Sequence, residues 1–211
     1  MSLLVIIGTV LGVIGVGLMI RRNVWGWSVG LAQVAVSAWV FFAAKLYSGV
    51  LLQIFFFAIQ AYGWWHWVRG AGSVGADLPV TRLRVGAMVA WVVAGAVATA
   101  AWGELMRRTT DAALPHWDAF ILAFSLIAQW WQARKQLENW AGWMVVNVVA
   151  IGVYWAKDLR LYAALYGVFF AMAVAGHLSW RRAMLVTGAA TPSSRLGKRD
   201  GGVVTPVRED A

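Results

Sequence analysis

Seven stretches of the chain are apolar over lengths able to cross the ~30 Å hydrocarbon core of a bilayer. They lie at roughly 2–20, 25–44, 50–68, 85–103, 116–132, 140–156 and 160–180. Short polar breaks separate them: Arg21-Arg22-Asn23, Lys45 to Gly49, Arg69 to Arg84, Arg107 to Pro115, Arg134 to Asn139 and Lys157 to Arg160. A backbone in lipid must satisfy its own N–H and C=O groups, so runs of this kind predict seven transmembrane helices and an all-α integral membrane protein. The prolines (Pro79, Pro115, Pro192, Pro206) all fall in the breaks or the tail, and no predicted helix is broken by one. The first run has no basic segment before it and no Ala-x-Ala site, and Arg21-Arg22 follow it. It therefore reads as a span and not as a removed signal peptide.

The order of the runs contains an internal repeat. Asn23-Val-Trp-Gly-Trp27 resembles Asn139-Trp-Ala-Gly-Trp143, Leu46-Tyr47 matches Leu161-Tyr162, and Gly63 with Trp67 matches Gly176 with Trp180. The offsets are 116, 115 and 113, read directly from those positions. Two three-helix copies, about 1–68 and about 116–182, are thus expected on either side of a connector helix at about 85–103. The odd connector lets both copies run in the same direction, a 3+1+3 plan in which a binding site is expected between the repeats near mid-depth. Residues 1–182 form the transmembrane unit, and residues 183–211, rich in Gly, Ser, Thr, Pro and charge, are expected to be a disordered tail.

Composition narrows the class further. The chain is 61% hydrophobic and only 13% charged, with 15 Trp, far from a soluble domain. Its net charge of +9 is scattered between apolar runs or gathered in the tail, a pattern that fits topology and anionic lipid better than nucleic acid. Five Lys and Arg fall on the N-terminal side of the membrane and thirteen on the other, so the N-terminus is expected outside and the C-terminal tail in the cytoplasm. Cysteine is absent, which removes disulfides, thiolate metal sites and thiol nucleophiles from consideration.

Most tryptophans sit near predicted helix ends, where an aromatic belt accounts for them; Trp25, Trp27, Trp64, Trp65, Trp67, Trp102, Trp117, Trp130, Trp131 and Trp180 are of this kind. His66, His116 and His177 lie near ends without metal-ligand partners, and Asp118 and Glu138 are isolated carboxylates near ends, so no acid/base dyad is expected. The deep segments hold no nucleophile, metal cluster or carboxylate pair, which argues against a membrane enzyme and leaves no cofactor expected. The amides are the exception: Gln53 and Gln60 share a face of the third helix, Gln129 lies in the fifth, and Asn147 lies in the sixth on one face with Trp140 and Trp143. Each amide alone could be interhelical glue, worth about 0.6 to 2 kcal/mol. As a set they are asymmetric, because the repeat puts Leu31 opposite Asn147 and a position near Val168 opposite Gln53. Asymmetric polar groups in a symmetric scaffold suggest one asymmetric ligand. Tryptophan faces beside amides suit a small, ring-bearing, hydrogen-bonding solute. With no deep carboxylate for ion coupling, uncoupled passage is the simplest mode.

Together Trp25-Gly-Trp27, Leu52-Gln53, Gln60-Ala-Tyr-Gly-Trp64, Trp67, Ala128-Gln129, Glu138-Asn-Trp140-x-x-Trp143-x-x-x-Asn147, Leu161-Tyr162, Gly176 and Trp180 resemble the PnuC family of bacterial vitamin transporters over roughly residues 20 to 182. The resemblance implies a seven-helix, SWEET-like 3+1+3 fold, assembled as homotrimers in the inner membrane. It implies facilitated diffusion of nicotinamide riboside, made one-way by a cytoplasmic kinase that phosphorylates and traps the vitamin. It also implies that Gln53, Gln60, Trp143 and Asn147 bind substrate, with Trp140 alongside. Other vitamins and nucleosides of the family (thiamine, riboflavin, deoxynucleosides) and a non-transporting structural subunit remain alternatives. Trp39 and the Tyr154-Trp155 pair are expected to reshape the cavity.

Overall fold

The computed structural model describes residues 3–43, 45, 47–70 and 78–189. Within them lie seven helices: α1 (Leu3–Ile20), α2 (Trp25–Ala43), α3 (Tyr47–Arg69), α4 (Val85–Thr109), α5 (Pro115–Ala133), α6 (Asn139–Ala156) and α7 (Arg160–Ala189). α3 starts at Tyr47, inside the expected break, and two helices run well past their expected C-terminal ends. α4 continues from 103 to Thr109, where Glu104 pairs with Arg107 at 2.7 Å and Arg108 at 2.6 Å along its own surface. α7 continues past Trp180, so residues 183–189, assigned above to a disordered tail, are helical; residues 190–211 lie outside the described residues. The reason is local, because Arg181-Arg182-Ala-Met-Leu-Val offers good helix formers and long side chains that can reach out of lipid.

Four helices, α1, α2, α4 and α7, are long and apolar enough to cross a membrane by length and composition alone. The other three, α3, α5 and α6, carry the inward amides Gln53, Gln60, Gln129, Gln132, Asn139 and Asn147, which lower their mean hydropathy without shortening them.

The hairpins follow one recipe. Among the described non-glycine residues, Arg22, Lys45, Lys135 and Asp158 have φ of 58°, 59°, 54° and 57°, and each closes the turn after a helix. The left-handed residue turns the chain back so that orphan carbonyls of the last turn are capped. Arg22 N–H donates to Met19 O and Asn23 N–H to Leu18 O; Lys135 N–H and Gln136 N–H repeat both bonds to Gln132 O and Trp131 O. Positions 22 and 135, and 45 and 158, are each 113 apart, and the bonds after them recur at the same spacing.

Helix contacts close a ring: α1 on α2, α2 on α3, α3 on α5, α5 on α6, α6 on α7, and α7 back on α1. α4 stands outside and touches only α5, with Gly95 against Phe124 and Ile127 and Gly103 against His116. Close approach at small residues is how helices associate in lipid, where the hydrophobic effect gives no drive.

One end of the ring is filled with indole. Trp27 meets Trp67 edge-on (5.4 Å, 84°), Trp140 meets Trp180 edge-on (5.5 Å, 88°), and Trp67 meets Trp180 at 5.8 Å. Trp67 Nε1 donates to Ala133 O at 3.1 Å and Trp180 Nε1 to Met19 O at 2.9 Å. Each bond crosses from one side of the ring to the other, so α1, α3 and α5 all end here, beside the Trp180 level of α7. Lys135 is buried with its Nζ 4.4 Å from the Trp67 ring centre. The α3–α4 connection straps this end: Thr81 N–H donates to Lys135 O, Leu137 N–H to Thr81 O, and Leu83 N–H to Glu138 Oε2 at 2.9 Å.

These contacts correct two expectations. Trp27, Trp67, Trp131 and Trp180 are buried core residues and not belt residues, whereas Trp25, Trp64, Trp65, Trp102 and Trp117 are exposed on the outer surface. The environment of Trp27 also recurs at Trp140 and not at Trp143: the Trp27 ring lies over Gly63 and packs on Trp67, and the Trp140 ring lies over Gly176 and packs on Trp180. The Asn-to-Trp strings look alike one helical turn out of step, and the packed register is 113. At that spacing Asn147 answers to Val34 and Gln53 to Tyr166.

A Cβ at Gly63 would lie 2.5 Å from the Trp27 ring, and one at Gly176 2.5 Å from the Trp140 ring, both rings having no room to move. Gly63→Ala and Gly176→Ala should each destabilise the folded protein by about 1–3 kcal/mol. Thermal melting of the purified protein in detergent checks this, and the exposed Gly86→Ala, with nothing within 4 Å, is the control expected to change little.

Candidate functional site

Inside the ring is a cavity of about 510 Å³ whose wall is contributed by α1, α2, α3, α5, α6 and α7, and by no residue of α4. All six residues singled out from the sequence line it: Gln53, Gln60, Gln129, Trp140, Trp143 and Asn147. Helix periodicity brings them there. Trp140, Trp143 and Asn147 stand at i, i+3 and i+7 on α6, and Gln53 and Gln60 stand seven apart on α3.

The amides divide into two groups. Gln60 Nε2 donates to Gly30 O on α2 at 3.2 Å. Gln132 Oε1 accepts the Trp143 indole N–H at 3.1 Å, joining α5 to α6 and fixing the rotation of that ring. These two are interhelical ties. The side chains of Gln53, Gln129 and Asn147 make no hydrogen bond among the described residues, although Asn147 is only 4% exposed and Gln129 9%. Trp140 Nε1 is buried without a hydrogen-bond partner among the described residues. Amides that line a cavity without a protein partner are free to bond a polar solute there.

Several lining residues escaped the sequence reading. Gln132 stands in the last turn of α5, and Gln33, which bonds Ser37 Oγ at 3.3 Å, stands in the middle of apolar α2, where the rule that found Asn147 would have found it. Asp118 lines the cavity from the first turn of α5, with both carboxylate oxygens 2.8 Å from Lys157 Nζ at the end of α6. It is the one charged residue in the lining, and no Lys, Arg or His contributes to that wall among the described residues. Tyr154 and Tyr166, which also line the cavity, stack on each other at 5.2 Å. Trp39 and Trp155, expected to shape the cavity, are exposed on the outside instead, Trp39 tilted against Phe42.

The family described as nicotinamide mononucleotide transporter matches residues 2–182. The chain is similar to the nicotinamide riboside transporter PnuC of Escherichia coli (strain K12), 25% identical with 82% of this chain and 83% of that protein covered. It is also similar to the riboflavin/roseoflavin transporter RibM of Streptomyces davaonensis, 28% identical with 82% of each covered. Among solved structures, a crystal structure of the vitamin B3 transporter PnuC superimposes with a TM-score of 0.68 at 24% identity, covering 88% of this chain and 83% of that one.

If the division of the amides is right, stability separates them without any ligand. Asn147→Leu and Gln129→Leu should leave the melting temperature unchanged or raised. Gln132→Leu orphans the Trp143 N–H and should cost about 1–2 kcal/mol; equal losses in all three would mark all the amides as ties.

Proposed function

Because the chain belongs to the nicotinamide mononucleotide transporter family, it is a membrane transporter and not an enzyme, and we propose that it lets nicotinamide riboside equilibrate across the membrane. The observation that carries the reading is the cavity itself. Three unengaged amides, Gln53, Gln129 and Asn147, share it with the Trp140 and Trp143 indoles. A pyridinium ring is attracted to an indole face by roughly 0.5–2 kcal/mol, and amides suit ribose hydroxyls. Gln60 and Gln132 hold the frame while the free groups take the solute.

Charge supports an unphosphorylated substrate. A phosphate would find no cation in the lining, and the one carboxylate there already engages Lys157. The same carboxylate is held by both oxygens on Lys157, so the wall offers no free acid to carry a coupled ion, in keeping with facilitated diffusion. One-way uptake then depends on a cytoplasmic kinase that phosphorylates and traps the vitamin.

The 113-residue recurrence of turns, bonds and indole pairs supports reading α1–α3 and α5–α7 as parallel repeats with α4 as connector. The excess of Lys and Arg at the α1–α2, α3–α4 and α5–α6 connections supports a cytoplasmic position for the indole-filled end and an outside N-terminus. The family resemblance supports a homotrimer in a bacterial inner membrane. A second substrate reading is favoured by one observation: the riboflavin/roseoflavin transporter is as similar as the nicotinamide riboside transporter, 28% against 25%.

Proteoliposomes separate the two. Labelled nicotinamide riboside should enter saturably, with no change when proton and sodium gradients are collapsed, and Asn147→Ala should cut uptake about tenfold or more. Specific riboflavin flux without riboside flux would replace the first reading with the second. Nicotinamide mononucleotide should neither enter nor compete; competition at concentrations similar to the riboside would contradict the charge argument.

A further inference from the structure

The two sides of the ring place their bulk differently at one pair of positions. On α2 position 30 is Gly, and on α3 position 60 is Gln; 113 residues later, α6 has Trp143 and α7 has Ala173. All four line the cavity. On one side the large residue rises from the third helix over a glycine, and on the other it rises from the second helix beside an alanine. Small and large have changed places, so that at this pair of positions the cavity has an amide on one wall and an indole on the other.

Gln60 occupies the space that Gly30 leaves. A Cβ built on Gly30 would fall on Gln60 Oε1 and stand 2.9 Å from its Cδ and 3.3 Å from its Nε2. Gly30 lies inside α2, in ordinary helical backbone, where glycine is less favourable than alanine. Neither backbone conformation nor helix propensity asks for glycine there; the room needed by Gln60 does. The bond from Gln60 Nε2 to Gly30 O then holds the amide against α2. With a methyl at position 30 the flexible end of Gln60 has to leave that carbonyl, and the open space next to it is the cavity.

Resting on the reading of the cavity as a vitamin site, we propose that Gly30 is a specificity-determining residue that acts through Gln60. Its missing side chain keeps the amide wall retracted, and so sets how wide a ring can lie on Trp143. Gly30 need not touch the solute; it seats the tied side chain that bounds the cavity on that side.

The test is a four-protein cycle: unsubstituted, Gly30→Ala, Gln60→Ala, and both together, each purified in detergent. Thermal melting is read first, without ligand. Gly30→Ala should lower the melting temperature when Gln60 is present and raise it when position 60 is Ala, where only the better helix propensity remains. A loss of equal size in both backgrounds overturns the coupling. Binding of nicotinamide riboside and of riboflavin is read next. Gly30→Ala should weaken the three-ring riboflavin more than the one-ring riboside, by about tenfold or more in the ratio of affinities, and the difference should vanish in the Gln60→Ala background. An unchanged ratio, with melting altered, reduces Gly30 to packing and overturns its role in specificity. If the unsubstituted protein binds neither vitamin, the proposed function fails, and the reversal of sign in melting still decides whether Gly30 seats Gln60.

Discussion

An indole lying flat over a glycine, once on each side of the ring, is the contact on which the rest of the structure depends. Trp27 over Gly63 locks α2 to α3, and Trp140 over Gly176 locks α6 to α7, at a distance that no side chain on the glycine would allow. Trp67 and Trp180 then meet between the two sides and bond to the carbonyls that end α5 and α1. In lipid, where apolar burial between helices contributes little, such shape fit and such bonds supply the association. Because this end is solid, the helices can diverge around an open interior elsewhere without losing their alignment.

That interior is where polarity is left unfinished. Amides in a low-dielectric setting are either ties or vacancies for a solute's bonds, and both kinds are present within one wall. Gln60 and Gln132 are engaged, whereas Gln53, Gln129 and Asn147 are not. The ties also keep the free groups useful, since a Trp143 ring held by Gln132 presents one face in one orientation. Preorganisation of this kind reduces the ordering that binding would otherwise demand.

Much of this was legible in the sequence, and the remainder was hidden for physical reasons. The seven helices follow from apolar length; their ends were misjudged at the start of α3, which begins at Tyr47, and where arginines sit on a helix that keeps going, at Arg107-Arg108 and Arg181-Arg182. The amides and the α6 tryptophans were found because polar groups in apolar runs stand out. Gln132 and Asp118 did not, since a residue near a helix end resembles any other until the cavity is known to extend that far. Trp27, Trp67 and Trp180 were placed in a belt because the same position along a helix suits an interface or a core, and only the facing glycine tells which. The recurring strings were visible, but their spacing slipped by one turn at Trp27, where two Asn-to-Trp strings imitate each other; the left-handed residues at 22, 45, 135 and 158, silent in composition, recur at 113.

The cross-bonds of Trp67 and Trp180 bear on how a solute could leave by the indole-filled end. A gate made of one loose side chain opens by changing rotamer, on the scale of nanoseconds. Here each ring is clamped by a neighbouring ring and by a helix-end carbonyl of the opposite side. Separation on that face would require whole helices to part, α3 from α5 and α7 from α1, and would break both indole bonds. Such an opening would be that of a joint and not a flap, on the slower scale of collective helix motions.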